Sequence, residues 1–129
     1  MNNSAVIYGM GIDIIEKVTI VKVFNSNYYE EYLLRWLTEE EIYCLEDCNN
    51  KIDLLSAYIA IKESFIKASN GYMKLKDLKK INVHIRNGVF NLSLENSTFL
   101  SNKTCSIEVF QSPDLCIASL TLKLEEEVK

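Results

Sequence analysis

The hydrophobic positions follow a helical period between residues 16 and 69 and a two-residue period after residue 81. Apolar side chains three and four positions apart indicate a helix with one buried face, whereas alternation indicates a strand. The pattern therefore predicts helices followed by strands, after one short strand at 5–8. That order is typical of an α+β domain, and the length suits a single domain over 1–129.

The helical part of the pattern divides into segments over 16–24, 26–36, about 39–47 and about 53–69. The second segment has one apolar stripe, made of Tyr29, Leu33 and Trp36. The third opens with a capping box, in which the Thr38 hydroxyl accepts from the Glu41 amide and the Glu41 side chain reaches back. For the fourth, we expect Asp53 as the N-cap and Asn70-Gly71 as the end.

The alternating part of the pattern begins with a β-hairpin. Ile81, Val83 and Ile85 alternate with polar residues, and Asn87-Gly88 suits a type I′ turn because both residues tolerate a positive φ. The return strand is expected to carry its apolar residues at Phe90, Leu92 and Leu94. Two more strands are predicted over 105–110 and 115–124. Next to the N-terminal strand, Gly9 and Gly11 allow a crowded backbone.

Composition excludes several classes of protein. Hydrophobic residues make up 48% and charged residues 25%, with a net charge of −4, as in an ordinary globular protein. The basic residues form no long stripe, so a nucleic-acid partner is not expected, although the sequence is compatible with a local basic pocket. No apolar run reaches the roughly 18 residues that a membrane span needs. With no signal-like segment at residues 1–6, we expect a cytoplasmic protein without a membrane partner.

The cysteines do not form a pattern that is typical of a metal site. Cys44 and Cys48 lie four positions apart on one predicted helix face, but His84 is the only histidine and nothing places it nearby. Structural zinc would need two more nitrogen or sulfur ligands. We therefore interpret the four cysteines, which include Cys105 and Cys116, as buried or partly buried free thiols in a reducing compartment.

Two carboxylates lie where chemistry is conceivable, and each also has a structural interpretation. Asp13 follows an apolar strand, where a carboxylate needs a partner, a capping role or a cation. Glu63 lies on a predicted polar strip of the fourth helix with Lys62 and Lys67. A Glu63–Lys67 pair, four positions apart, would be an ordinary surface ion pair. Neither residue alone distinguishes structure from function.

Together, three segments resemble the holo-acyl-carrier-protein synthase family, the small 4′-phosphopantetheinyl transferases. They are Ile-Tyr-Gly-Met-Gly-Ile-Asp-Ile-Ile-Glu around Asp13, then Arg-Trp-Leu-Thr-Glu-Glu-Glu, then Ala-Tyr-Ile-Ala-Ile-Lys-Glu-Ser-Phe-Ile-Lys-Ala around Glu63. The family patterns run Gly-x-Asp-Ile, Leu-Thr-x-x-Glu and Lys-Glu-Ala-x-x-Lys, and here they occur in the same order and at the family's spacing. The resemblance covers residues 6–70 well and 81–124 only in strand pattern.

The resemblance implies a small phosphopantetheinyl transferase fold, with helices packed on an antiparallel sheet. It also implies transfer of the 4′-phosphopantetheine arm of coenzyme A to a serine of an acyl or peptidyl carrier protein. By position, Asp13 and Glu63 would be the catalytic, Mg²⁺-binding pair, and Glu63 or a water on the metal would take the serine proton. Lys62 and Lys67 would contact coenzyme A phosphates, and Gly71 would line the nucleotide. Mn²⁺ accepts the same oxygen ligands as Mg²⁺.

The family also implies a homotrimer with its site between subunits. Three family positions differ here: Tyr58 replaces an arginine that helps bind coenzyme A, Asn70 interrupts a Gly-Thr-Gly loop, and Gln111 aligns with a histidine. The first helical region, often arginine-rich to suit an acidic carrier helix, offers Lys17, Lys22 and Arg35, diluted by acidic residues. The alternative is therefore a non-catalytic module of the same fold that binds a carrier protein or a nucleotide.

Overall fold

The structure, a computed structural model, describes residues 6–125. Its elements follow the predicted order of helices and then strands after an N-terminal strand. They are β1 (Val6–Glu16), α1 (Lys17–Phe24), α2 (Tyr29–Trp36), α3 (Glu39–Glu46), α4 (Lys51–Ala68), a 3₁₀ helix (Leu75–Lys80), β2 (Ile81–Arg86), β3 (Val89–Leu94), β4 (Lys103–Gln111) and β5 (Leu115–Leu124). The predicted α+β class is confirmed. Within residues 6–125, no helix combines the length and the apolar character that a membrane crossing requires.

The strands form two antiparallel sheets, one of three strands in the order β1-β5-β4 and one of β2 and β3. Strand β1 is the main difference from the prediction, because it extends well beyond 5–8 and continues through Asp13 to Glu16. Its pairing with β5 explains the extension, since Asp13 lies opposite Ala118 and Glu16 opposite Leu115. Residue 5 of the predicted strand lies outside the described residues.

Helix α4 packs closely against β1, and two glycines permit this approach. A Cβ atom at Gly9 would lie 1.9 Å from the Ala68 carbonyl oxygen, and one at Gly11 would lie 2.0 Å from the Ser64 carbonyl oxygen. Any side chain would therefore push the helix away from the strand. The crowded backbone expected at these glycines is confirmed, and it brings Asp13 of β1 against the last turns of α4.

The start of α4 differs from the prediction. Asn50 is the N-cap, and its side chain accepts from the amide of Asp53. Asp53 was the wrong choice of cap because its carboxylate instead pairs with Lys17 of α1 at 2.7 Å. The end of α4 follows the prediction, since Asn70 and Gly71 adopt positive φ angles of 54° and 90° directly after the helix.

The locally encoded features match the sequence interpretation. In the capping box of α3, the Glu41 amide donates to the Thr38 hydroxyl and the Thr38 amide donates to the Glu41 carboxylate. In the hairpin turn, Asn87 and Gly88 both have positive φ angles, as a type I′ turn requires. The four cysteines are free thiols, and Cys44 is exposed, so the prediction of at least partial burial is wrong there.

Candidate active site

Asp13 projects from β1 toward α4 and is almost fully enclosed, with 9% of its surface exposed. Its Oδ1 accepts from the Lys67 ammonium at 3.0 Å. Its Oδ2 is buried and has no hydrogen-bond partner within residues 6–125. A buried carboxylate oxygen without a partner is costly, so this position favours a proton or a cation.

Glu63 lies beside Asp13, half-buried on α4. Its pKa is raised from 4.5 to about 7, first by burial and then by the adjacent Asp13 carboxylate, while Lys67 opposes the shift. Two carboxyl groups this close cannot both ionise easily without a compensating charge. The structure therefore brings the two predicted metal ligands together, and their environment lacks one positive charge.

Lys67 belongs to the same cluster. Its ammonium pairs with Asp13, and it also donates to the Ile12 carbonyl oxygen at 2.9 Å. The structural alternative considered for Glu63, a surface ion pair with Lys67, is therefore not the arrangement observed. Because 54% of the Lys67 side chain is exposed, its ammonium is accessible from the solvent side of the cluster.

Lys62 is the predicted site residue that the structure does not bring to the cluster. Its side chain is fully buried, and its ammonium pairs with the Glu41 carboxylate at 2.6 Å. The ammonium also donates to the carbonyl oxygens of Trp36 and Leu78, at 2.8 and 3.0 Å. The polar strip predicted for α4 is thus wrong at Lys62, because α3 and the 3₁₀ helix cover this side of the helix.

Gly71 lies in the loop after α4, three residues beyond the helix end at Ala68. The preceding Asn70 donates from its side chain to the Tyr8 carbonyl oxygen at 2.7 Å, which fastens this loop to β1. Gly71 also borders a hollow of about 710 Å³ that includes four lysines, namely Lys74, Lys76, Lys79 and Lys80. This hollow corresponds to the local basic pocket with which the sequence is compatible.

Tyr32 is a residue near the cluster that the sequence did not reveal. Burial and, next, the negative charge of Glu63 raise the pKa of the Tyr32 hydroxyl to about 12. Its ring stacks on Trp36 with the centroids 5.8 Å apart. With Tyr28, Glu31 and Arg35 it lines a hollow of about 450 Å³. The four-residue spacing of Tyr28, Tyr32 and Trp36 could have indicated that these side chains share a helix face. The predicted apolar stripe instead followed Tyr29 and Leu33.

The family positions that differ lie apart from the Asp13–Glu63 cluster in their contacts. Tyr58 is fully buried, and burial together with nearby thiols and Glu41 raises its pKa above the usual range. The Gln111 side chain donates to the Asp53 carbonyl oxygen at 2.9 Å near the start of α4. Lys17, counted among the basic residues of the first helical region, is also buried against Asp53.

The donor set suits a hard divalent cation. Within residues 6–125, no three His, Cys, Asp or Glu side chains form a metal-binding group, so the protein offers two carboxylates here and no complete cage. Mg²⁺ is typically held by one or two carboxylates, with waters and substrate phosphates completing its shell. The partnerless Asp13 Oδ2 and the elevated pKa of Glu63 fit such an ion.

Solved structures share this fold. A Bacillus anthracis holo-(acyl-carrier-protein) synthase, determined in complex with CoA (3′,5′-ADP), superposes with a TM-score of 0.77 at 21% identity over 95% of this chain and 100% of that chain. The Neisseria meningitidis holo-[acyl-carrier-protein] synthase gives a TM-score of 0.79 at 23% identity over 90% and 98%. The Helicobacter pylori enzyme, in complex with coenzyme A, gives 0.72 at 22% over 88% and 98%. The fold is therefore that of the holo-acyl-carrier-protein synthases.

A family model extends this likeness from fold to sequence. The model of the 4′-phosphopantetheinyl transferase superfamily matches residues 9–118. No curated protein matches the sequence. The chain belongs to the 4′-phosphopantetheinyl transferase superfamily, and the resemblance carried by its three motifs is confirmed.

Proposed function

We propose that this protein transfers the 4′-phosphopantetheine group of coenzyme A to a serine of an acyl or peptidyl carrier protein, in the cytoplasm and with Mg²⁺. One observation carries the proposal: Asp13 and Glu63 lie together at the β1–α4 crossing, where Asp13 Oδ1 pairs with Lys67 and Asp13 Oδ2 is buried without a partner. In a member of this superfamily, such a cluster suits the pyrophosphate of coenzyme A.

Each residue of the cluster has a proposed task. Asp13 and Glu63 would hold Mg²⁺, which supplies positive charge to the pyrophosphate. Lys67 would add a phosphate contact from the exposed side of the cluster. Glu63 would also accept the proton of the serine hydroxyl as the serine oxygen attacks phosphorus. The phosphorus–oxygen bond to the nucleotide then breaks, and 3′,5′-adenosine bisphosphate leaves.

We also propose a homotrimer in which neighbouring chains cover the open face of the three-stranded sheet. Three β1 side chains on this face, Met10, Ile12 and Ile14, are 55%, 56% and 58% exposed, and Phe110 of β4 is 61% exposed. Ile14 and Phe110 are both cross-strand neighbours of Ile117, so they share one face. An apolar sheet face of this kind favours contact with another protein surface.

The alternative function is a non-catalytic module that binds a carrier protein or nucleotide on the same fold. Tyr58 is buried, and the Gln111 Nε2 already donates to the Asp53 carbonyl oxygen while its Oε1 is enclosed, so neither is an exposed contact for coenzyme A on this chain. These two positions favour the alternative, whereas the Asp13–Glu63 cluster favours transfer. The two functions differ in whether a covalent product forms.

The test is intact-mass spectrometry of apo carrier proteins from the same organism after incubation with the protein, coenzyme A and Mg²⁺. Transfer predicts a mass gain of one phosphopantetheine and release of adenosine bisphosphate. A rise in melting temperature with coenzyme A but no mass gain on any carrier would instead identify the binding module, because a ligand bound only by the native state stabilises it.

A further inference from the structure

Lys62 is the most completely enclosed cation in the part of the chain that the structure describes. Its ammonium has three acceptors, one for each proton: the Glu41 carboxylate and the carbonyl oxygens of Trp36 and Leu78. None of its side chain is exposed. A lysine in this state is fully satisfied inside the protein and has no surface from which to meet a substrate phosphate.

Glu41 is satisfied to the same degree. Its Oε1 accepts from the Lys62 ammonium and from the Thr38 amide, and its Oε2 accepts from the Val83 amide at 2.6 Å. The pair therefore joins the start of α3, the middle of α4 and the first residues of β2. A buried ion pair is weak evidence for stability, since apolar residues of similar size often replace it without loss. Orientation is the role that its geometry suits better.

The pair fixes α4, the helix that carries Glu63. Residues 62 and 63 are adjacent on α4, so fixing the Lys62 side chain fixes the rotation of the helix that presents Glu63. The Lys62 ammonium also binds the Trp36 carbonyl oxygen, and the Trp36 ring stacks on Tyr32, whose hydroxyl pKa responds to Glu63. One ammonium thus connects α4 to the end of α2.

We propose that Lys62, held by Glu41, is a positioning residue that sets Glu63 opposite Asp13, and that it does not contact coenzyme A. This inference rests on the proposed function for its catalytic consequence, but its effect on metal binding stands apart from transfer. It replaces the phosphate contact that the family resemblance implied for Lys62.

The experiment compares the wild-type chain with Glu41→Leu/Lys62→Met, which removes both charges and leaves neither partner buried alone. The matched control is Asp53→Asn, which removes one charge of the partly exposed ion pair between α4 and Lys17, ten residues before Glu63. Three quantities are measured: the free energy of unfolding, the affinity for Mn²⁺ alone by electron paramagnetic resonance, and kcat with KM for coenzyme A in the transfer assay.

A positioning role predicts that Glu41→Leu/Lys62→Met stays folded and loses about tenfold or more in Mn²⁺ affinity, as expected when groups that orient metal ligands are removed. In the transfer assay kcat should fall while KM for coenzyme A stays within about twofold, and the control variant should keep both values. If the double variant does not fold, Glu41→Asp, which keeps both charges but shortens the carboxylate, should lower Mn²⁺ affinity in the same direction.

Three results would overturn the inference. Mn²⁺ affinity and kcat equal to wild type would show that the pair only fills space, and a raised KM for coenzyme A with unchanged Mn²⁺ affinity would show a phosphate contact. A wild-type chain that binds Mn²⁺ but transfers nothing would remove the proposed function alone, and the Mn²⁺ comparison would still decide the role of Lys62. A wild-type chain that binds no Mn²⁺ would overturn both.

Discussion

At the scale of single residues, Asp13 and Glu63 bring two carboxylates to one site, and the single ammonium of Lys67 balances only one of their charges. The pKa of Glu63 lies at about 7, compared with its ordinary 4.5, because of burial and then of Asp13. A proton in the metal-free protein and a divalent cation in the metal-bound protein would each reduce the repulsion between the two carboxylates. The two should therefore compete, and both stability and metal binding should depend on pH.

Metal-free stability tests this competition. Because the pKa of Glu63 is higher in the folded state than in the unfolded chain, the folded state holds the proton more tightly, and the contribution of this group to stability is lost as pH rises from about 4.5 through about 7. Urea unfolding of wild type and Glu63→Gln, with chelator present, should show this loss in wild type only. If the free energies of unfolding of the two proteins changed with pH in parallel, Glu63 would not hold the proton whose loss lowers stability.

Metal affinity should change in the opposite sense over the same window. Mg²⁺ or Mn²⁺ requires the ionised carboxylates, so affinity should rise as pH increases from about 6 to about 8 and the proton leaves Glu63. Calorimetric titration of the wild-type protein with Mn²⁺ at several pH values measures the slope. An Mn²⁺ affinity that does not change with pH would show that the ion binds at a site other than Asp13 and Glu63.

At the scale of secondary structure, the crossing of β1 and α4 builds the site. Gly9 and Gly11 let the strand approach the carbonyl oxygens of Ala68 and Ser64, and this contact places Asp13 beside the helix. The obstacle at both positions is backbone and not a flexible side chain. The distance between the two carboxylates is therefore set by a close contact that only glycine permits.

Gly11→Ala tests that dependence. The added methyl group would lie 2.0 Å from the Ser64 carbonyl oxygen, so α4 must move, and we expect a loss of about 2–3 kcal/mol in stability. Denaturant unfolding measures the loss, and Mn²⁺ binding should weaken with it. Val89→Ala, an exposed strand position in the small sheet, is the control and should change stability by less than about 0.5 kcal/mol. A wild-type-like Gly11→Ala would show that the crossing is loose.

Elements with local signals were predictable from the sequence, and those set by tertiary contacts were not. The capping box at Thr38 and the Asn87-Gly88 turn are encoded within four residues, and both formed as expected. The length of β1 depends on pairing with β5, a hundred residues later, and no local pattern contains that information. Asp53 looked like a cap, but its distant partner Lys17 decided its role.

The candidate site shows the same division. The motifs singled out Asp13, Glu63 and Lys67, whose side chains are neighbours in the structure, because the family resemblance indicates which positions lie together in the fold. They misplaced Lys62, since helical periodicity assumes one open face and α4 is covered on nearly every side. A lysine on a helix is usually exposed, and only the position of Glu41 in three dimensions shows that this one is paired.

At the scale of the whole molecule, the open face of the three-stranded sheet carries the proposal of a trimer. Light scattering of the wild-type protein should give three times the chain mass, and Phe110→Lys should reduce it, since a charge would be buried at the contact. Tyr43→Lys, at an exposed position on α3, is the control and should leave the mass unchanged. A clean wild-type monomer at working concentration would contradict the trimer.

We infer that Asp13 and Glu63 make this chain a metal-dependent phosphopantetheinyl transferase. The most direct measurement is the mass of an apo carrier protein after incubation with coenzyme A, Mg²⁺ and either wild type, Asp13→Ala or Glu63→Ala. We expect a phosphopantetheine mass gain with wild type and none with either variant, each shown to be folded by circular dichroism. A full mass gain with both variants would contradict the metal assignment, and no gain with wild type on any carrier of the same organism would contradict the transferase itself.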